Sequence, residues 1–394
     1  MNGGDWDQLT AGVLAGLNEA KLDRHRRVIT SLSPTWVLWQ GRQYLNFASN
    51  DYLGLTHHPA VVRAAQLSSA GAAASPLITG YTSHHQRAEE HIPRWKGTGS
   101  AMLFPSGYQA NFAAVQTIAA IAEKSGRSMR FLLDKLAHAS LIDAVRASGA
   151  SFRTFPHNHL PKLQRLLEDA PAEEIQVVVT ESIFSMDGDA ADLKGLAELK
   201  SRHPFLLLLD EAHATGVYGP LGSGLAAELD LRSIVDVTII TLSKALGCSG
   251  GAVCGSRVFC DAMVNLARAY IYSTSISPMI AAAADAAISV CETEPHLQQR
   301  VRQLARHVRT ELQQSGWDIP AGDSPIVPII MGTESAALAA AESLADAGIL
   351  ALAIRPPTVP KGTSRLRITL SSAHSDEEIE RLLRAMAELK KSAQ

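Results

Sequence analysis

The sequence predicts an α/β protein, with a large, doubly wound, mainly parallel sheet domain and a smaller α+β domain. Three observations carry this. Short, unbroken apolar runs recur through the middle of the chain with helical stretches between them. Near Cys291 the texture changes to a long amphipathic segment followed by further strand candidates. The 394 residues also exceed the roughly 250–300 at which a single hydrophobic core stops growing.

In chain order, the first 50 or so residues read as a helix and then a strand at 43–47. Together with the turn after it this makes a segment, 1–55, expected to pack with the smaller domain. The apolar runs follow at 101–104, 131–134, 175–181, 205–210, 237–241 and 250–255. Continuous rather than alternating apolarity marks strands covered on both faces, and helical intervals between them imply parallel crossovers. These runs define a large domain at 56–290. The remainder, 291–394, holds an amphipathic stretch at 296–315, then strands at 326–331, 349–354 and 365–370. A last helix is announced by Ser375 and Glu378 in capping-box relation, with Ile379, Leu382, Leu383, Met386 and Leu389 on one face.

Composition excludes several classes. A formal net charge of −3, without a long block of one sign, argues against nucleic acid as a partner. No run of about 18 apolar residues offers a membrane span, and the start lacks the basic-then-apolar pattern of a leader, so a soluble cytoplasmic protein is expected. Four cysteines without a CxxC pair or zinc-like histidine spacing point to neither a disulfide framework nor a metal site.

In open α/β sheets ligands bind beyond the carboxyl ends of the strands, so the residues that end the apolar runs are the informative ones. LLLLD ends in Asp210 and is followed by Glu211, Ala212 and His213; VTIITLSK ends in Lys244; FLLD leads to His138; VVVTESIFS reaches Ser185. A lysine closing a buried strand can enter a pocket, where desolvation makes its amine a nucleophile toward aldehydes, although a strand-end lysine is as readily a surface residue. Asp210 alone reads more readily as a structural turn carboxylate, and His138 more often as a satisfied polar residue than a functional one. Pyridoxal phosphate would use all three: a lysine for its aldehyde, a carboxylate for its ring nitrogen and a flat imidazole against its ring. The segment FPSGYQAN, with Ser106, Gly107 and Tyr108, supplies a strand–turn–helix junction whose amides can cradle a phosphate. No nucleotide fingerprint follows a strand, which disfavours a nucleotide-dependent dehydrogenase.

These residues stand in motifs that closely resemble those of the α-oxoamine synthases, pyridoxal-phosphate enzymes of the type I, aspartate-aminotransferase-like fold. The motifs are YLNFASNDYLGL, ITGYTSHHQ, FPSGYQAN, HASL, TESIFSMDGD, LDEAHATGVYG, TLSKALG, IYSTSISP and AIRPPTVPKGTSRLRITLSSAH, nine in family order from Tyr44 onward. The resemblance implies that Lys244 carries pyridoxal 5'-phosphate, Asp210 pairs with its ring nitrogen and His138 stacks on the ring. Ser185 and His213 would meet the phenolic oxygen, and Gly107, Tyr108 and Thr241 the phosphate. It implies a homodimer with active sites at the interface, where Thr274 and Ser275 reach the partner's phosphate. Asn50 and Arg367 match residues that meet the amino-acid carboxylate. RPPTVPKGT is the form associated with the branch that condenses L-alanine with pimeloyl-CoA or pimeloyl-ACP in biotin biosynthesis. There Arg355, with Thr358, would face the distal end of the acyl chain, and Arg27 would approach the thioester; a solvated helix face explains Arg27 equally well, and Arg365 reads as structural. Ala137 where relatives carry Ser, the glycine-poor stretch 71–80 and Tyr108 in place of Phe depart from the pattern without removing a group the chemistry needs. Two alternatives stand beside this reading: another α-oxoamine synthase, such as one joining glycine to acetyl-CoA or making a signalling aminoketone, and a non-catalytic pyridoxal-phosphate-fold binding protein.

Overall fold

The computed structural model describes residues 3–392. The chain divides into two compact units, one of residues 50–302 and the other of the residues up to Ser49 together with those from Gln303 onward. The first break comes earlier in the sequence than the expected end of the opening segment at Leu55. The second falls inside the helix Pro295–Gln314 rather than before it.

The larger unit is built on seven strands: β1 (Ser100–Phe104), β2 (Met129–Asp134), β3 (Ser151–Phe155), β4 (Ile175–Glu181), β5 (Leu206–Asp210), β6 (Val237–Thr241) and β7 (Gly251–Gly255). They lie in the order β1-β7-β6-β5-β4-β2-β3. β4, β6 and β7 are nearly or wholly buried along their length, as continuous Val, Ile and Leu runs require when both faces of a sheet are covered. The helix Gly107–Lys124 buries Ala110, Ala113, Ala114 and Val115 within the large core, where small side chains allow close packing.

Two features of this sheet differ from expectation. β3 was not expected: SFRTF carries Arg153 and pairs only with β2 at the sheet edge, so one face stays wet and no continuous apolar run forms. β7 runs antiparallel to both β1 and β6. The segment 242–250 between β6 and β7 holds no helix, and a parallel return needs about a dozen residues or more.

In the smaller unit, Trp36–Trp39 pairs antiparallel with Ile29–Ser31 and Arg42–Asn46, and Ile349–Leu350 adds to Arg42–Asn46 in parallel. A second sheet has the antiparallel order Ile326–Gly332, Ser364–Thr369, Leu352–Ile354. The single strand expected at 349–354 is therefore two, switching sheets at Ala351. The helix Asp376–Ser392 begins at the expected box: Ser375 N–H donates to Glu378 Oε2 at 3.0 Å and Glu378 N–H to Ser375 Oγ at 3.2 Å. Among the described residues, no helix is long and apolar enough to cross a membrane.

Candidate active site

The carboxyl ends of β4, β5 and β6 open onto a cavity of about 240 Å3 lined by Lys244, Asp210, His138, Gly107, Thr241 and Glu181, with Ser106, Tyr108, Asn111 and Ser140 completing its polar wall. Topology explains the convergence: parallel strands deliver their ends to one edge, and the side chain just past each end has no further strand to pack against.

Lys244 follows β6 and is half-buried. Its Nζ lies 2.9 Å from Nε2 of His213, three residues beyond β5. The other ring nitrogen of His213 lies 2.6 Å from the hydroxyl of Tyr52, and that hydroxyl also donates to Asn50 Oδ1 at 3.3 Å. A fully buried tyrosine thus holds the imidazole that faces the lysine.

Asp210 is 4% exposed. Asn111 Nδ2 donates to its Oδ2 at 2.8 Å and the Ala212 N–H to its Oδ1 at 2.8 Å, so both oxygens act as acceptors and the plane of the carboxylate is fixed. The same Asn111 amide donates to Ser140 Oγ at 2.9 Å, and Ser140 Oγ lies 2.7 Å from His138 Nδ1. His138 caps the helix Ala139–Ala147 and presents its ring to the cavity. Burial by the surrounding protein lowers its pKa; Asp210 pulls it back up and Lys244 adds to the depression.

The helix Gly107–Lys124 starts at the cavity wall, with Ser106 Oγ accepting from the Gln109 N–H at 3.1 Å. First-turn amides of a helix have no main-chain acceptor of their own and favour an anion. Gly107 keeps this corner open: a Cβ there would come within 3.3 Å of Thr241 Oγ1. A Cβ on Gly251 would lie 2.7 Å from Gly107 Cα, so β7 and the helix start approach through two glycines. An amine, a carboxylate held in plane, a flat ring and an amide-lined corner meet in one cavity, with the acceptor Asn111 Oδ1 buried beside them and without a partner among the described residues. These groups fit pyridoxal phosphate.

Within the larger unit, the structure does not bring every expected residue to this cavity. Ser185 lies in the turn after β4, outside the lining. That turn is braced by His157, whose ring nitrogens lie 3.1 Å from Asp134 Oδ1 and 2.7 Å from Asp189 Oδ2. Thr274 is exposed, and the Ser275 N–H donates to Ala74 O at 3.0 Å; neither lines the cavity. Tyr108 turns its hydroxyl to Asp143 Oδ2 at 2.8 Å. In the smaller unit, Arg367 is buried on Ser364–Thr369 and donates to Thr369 Oγ1 at 2.9 Å. Arg355 donates to the carbonyls of Lys21 and Asp23, and Thr358 Oγ1 accepts from Arg24 at 3.3 Å. Arg27 is exposed and lies over the Trp39 ring, 4.8 Å from its centroid. Sequence reading missed Asn111, Ser140 and Tyr52, although Asn111 ends the quoted FPSGYQAN motif and Tyr52 lies within YLNFASNDYLGL.

The aminotransferase class I and II family model matches residues 42–386. A protein from Bordetella parapertussis described as a putative 8-amino-7-oxononanoate synthase is 43% identical over 97% of this chain and 96% of its own length. The chain belongs to this family. It is therefore a pyridoxal-phosphate-dependent acyltransferase with the type I fold. Among solved structures, a serine palmitoyltransferase from S. paucimobilis with a bound pyridoxal phosphate–myriocin aldimine aligns at a TM-score of 0.91 with 27% identity, covering 99% of this chain and 98% of that one. An 8-amino-7-oxononanoate synthase from Francisella tularensis aligns at 0.75 with 26% identity, covering 89% and 98%.

Proposed function

We propose that this member of the 8-amino-7-oxononanoate synthase family condenses L-alanine with a pimeloyl thioester, on coenzyme A or acyl carrier protein, with loss of carbon dioxide and release of the thiol. It would do so in biotin biosynthesis, as a cytoplasmic homodimer. The observation that carries the reading is the Lys244–His213–Tyr52 chain of contacts beside the Asn111-held Asp210, in a family of that name.

Bound pyridoxal phosphate supplies an electron sink for negative charge developing at the amino-acid α-carbon. Lys244 would hold the cofactor's carbonyl carbon until the amino acid displaces it, and its freed amine would then take the α-proton, being already in reach. Asp210, acceptor on both oxygens, would hold a proton on the ring nitrogen. His138, its charge disfavoured by burial, would lie flat against the ring, and Ser185 and His213 would hydrogen-bond the phenolic oxygen. Gly107, Tyr108 and Thr241 would bind the phosphate, joined by Thr274 and Ser275 of the second copy. Asn50 and Arg367 would orient the amino-acid carboxylate and so choose the bond that breaks. Arg355 and Thr358 at the distal acyl end, and Arg27 at the thioester, are supported by motif position; Arg355 would have to exchange main-chain carbonyls for substrate.

The test is thiol release by purified holoenzyme with alanine, glycine or serine against pimeloyl, acetyl and palmitoyl thioesters. Alanine with a pimeloyl thioester should give the fastest release together with the aminoketone product. Glycine with a short thioester as the preferred pair would assign another α-oxoamine synthase, and no release with any pair would refute the reading.

A further inference from the structure

A second carboxyl group lies on the floor of the same cavity. Glu181 ends β4 in direct register with Asp210, which ends the neighbouring β5. Both are buried, at 2% and 4% exposure, and both line the cavity. Their hydrogen bonding differs. Asp210 accepts from Asn111 and from the Ala212 N–H, whereas Glu181 Oε1 has no partner among the described residues.

Two carboxylates on adjacent strands inside a protein do not both ionise at low cost, since burial and mutual repulsion act together. The groups that bear on Glu181 come from each neighbouring element: Asp210 from β5, Asp134 from β2, Lys244 from the turn after β6, and the main-chain N–H of His138. Lys244 and the His138 amide favour a charged Glu181; Asp210 and Asp134 oppose it. Burial first, and the charge of Asp210 second, hold its pKa well above the ordinary glutamate value. Two donors, Asn111 Nδ2 and the Ala212 N–H, are aimed at Asp210, where they stabilise a negative charge.

We propose that Glu181 is a positioning residue of the cofactor site, a carboxylic acid that keeps its proton on the cavity floor so that Asp210 is the only anion presented to the ring nitrogen. This rests on the reading that Asp210 pairs with that nitrogen. A charged Glu181 would place a second anion beside Asp210 and displace the ring's protonation from the value Asp210 alone sets. A neutral one contributes an O–H donor and no charge.

Infrared difference spectra of the cofactor-free protein at neutral pH, wild type against Glu181→Gln, test the protonation directly. The carbonyl band of a protonated carboxyl group, shifted in heavy water, should be present in the wild type and lost in the variant. Loss of ionised carboxylate bands instead would overturn the proposal. In the holoenzyme, the pH midpoint of the bound cofactor's visible absorbance should be unchanged in Glu181→Gln, a neutral isostere. A midpoint that falls by about one unit in Glu181→Gln, a tenfold change in the bound imine's proton affinity such as removal of a negative charge beside Asp210 would cause, would show that Glu181 is ionised and overturn the proposal. Asp210→Asn separates the two readings: if it leaves the absorbance midpoint in place, the Asp210 assignment fails while the infrared result on Glu181 stands.

Discussion

Replacing Asn111 with Ala removes the amide that donates at 2.8 Å to Asp210 Oδ2 and at 2.9 Å to Ser140 Oγ. Asn111 is 2% exposed, so water cannot freely substitute for the lost donor. A hydrogen bond to a charged group contributes roughly 1.5–3 kcal/mol, and the cofactor-free protein should lose about that much stability. With only the Ala212 N–H left to hold it, the carboxylate can turn about its Cβ–Cγ bond. Re-immobilising it on cofactor binding costs about 0.5–1.5 kcal/mol, which converts to a roughly two- to tenfold weaker Kd. Thermal unfolding of the cofactor-free protein and absorbance titration with pyridoxal phosphate measure the two effects separately. Asn111→Asp sharpens the test, because it faces Asp210 with a second carboxylate instead of a donor. It should bind the cofactor worse than the Ala variant at neutral pH and recover part of the loss on acidification. An Ala variant matching the wild type in both Tm and Kd would show that Asp210 does not depend on Asn111.

Tyr52→Phe removes the hydroxyl 2.6 Å from His213 Nδ1 and should lower activity by about five- to tenfold with little change in Tm, in line with a net hydrogen-bond worth of about 1 kcal/mol; unchanged turnover would show that Lys244 does not use His213 as oriented here. His157 opposes its own charge by burial, but hydrogen bonds to Asp134 and Asp189 outweigh this and raise its pKa to about 10. Because the folded value lies above the roughly 6.5 of an unfolded histidine, the stabilisation is complete below that pH and fades as pH rises toward 10. His157→Gln should therefore lower Tm by a few degrees at pH 6 and by progressively less up to pH 10, and a difference that grows with pH would contradict this brace.

Much of the larger unit was legible because most of its strands are continuous apolar runs, and isoleucine-containing runs such as Val237–Thr241 end where the backbone strand ends. The edge strand β3 was not, since a half-wet strand looks like a loop when an arginine sits at its centre. The antiparallel return of β7 depends on a connection too short for a helix, a property of spacing rather than of either strand. The helix Glu334–Asp346 shows little contrast between faces, its buried positions being Ala337, Ala340 and Leu344 in an alanine-rich run. At the site, Lys244, Asp210 and His138 declared themselves because they are reactive groups at strand ends. Asn111 and Tyr52 did not: an amide in the first turns of a helix and a buried aromatic acquire meaning only through what they touch. Arg355 shows the opposite limit, where motif position names a residue whose guanidinium is engaged with the carbonyls of Lys21 and Asp23.

The proposed chemistry depends most directly on Lys244. Borohydride reduction of the holoenzyme, followed by peptide mapping by mass spectrometry, should place the added mass of the reduced cofactor on the peptide that contains Lys244, and Lys244→Ala should carry no such mass and no visible absorbance band. Attachment at another lysine, or a Lys244→Ala protein that retains the band, would contradict it.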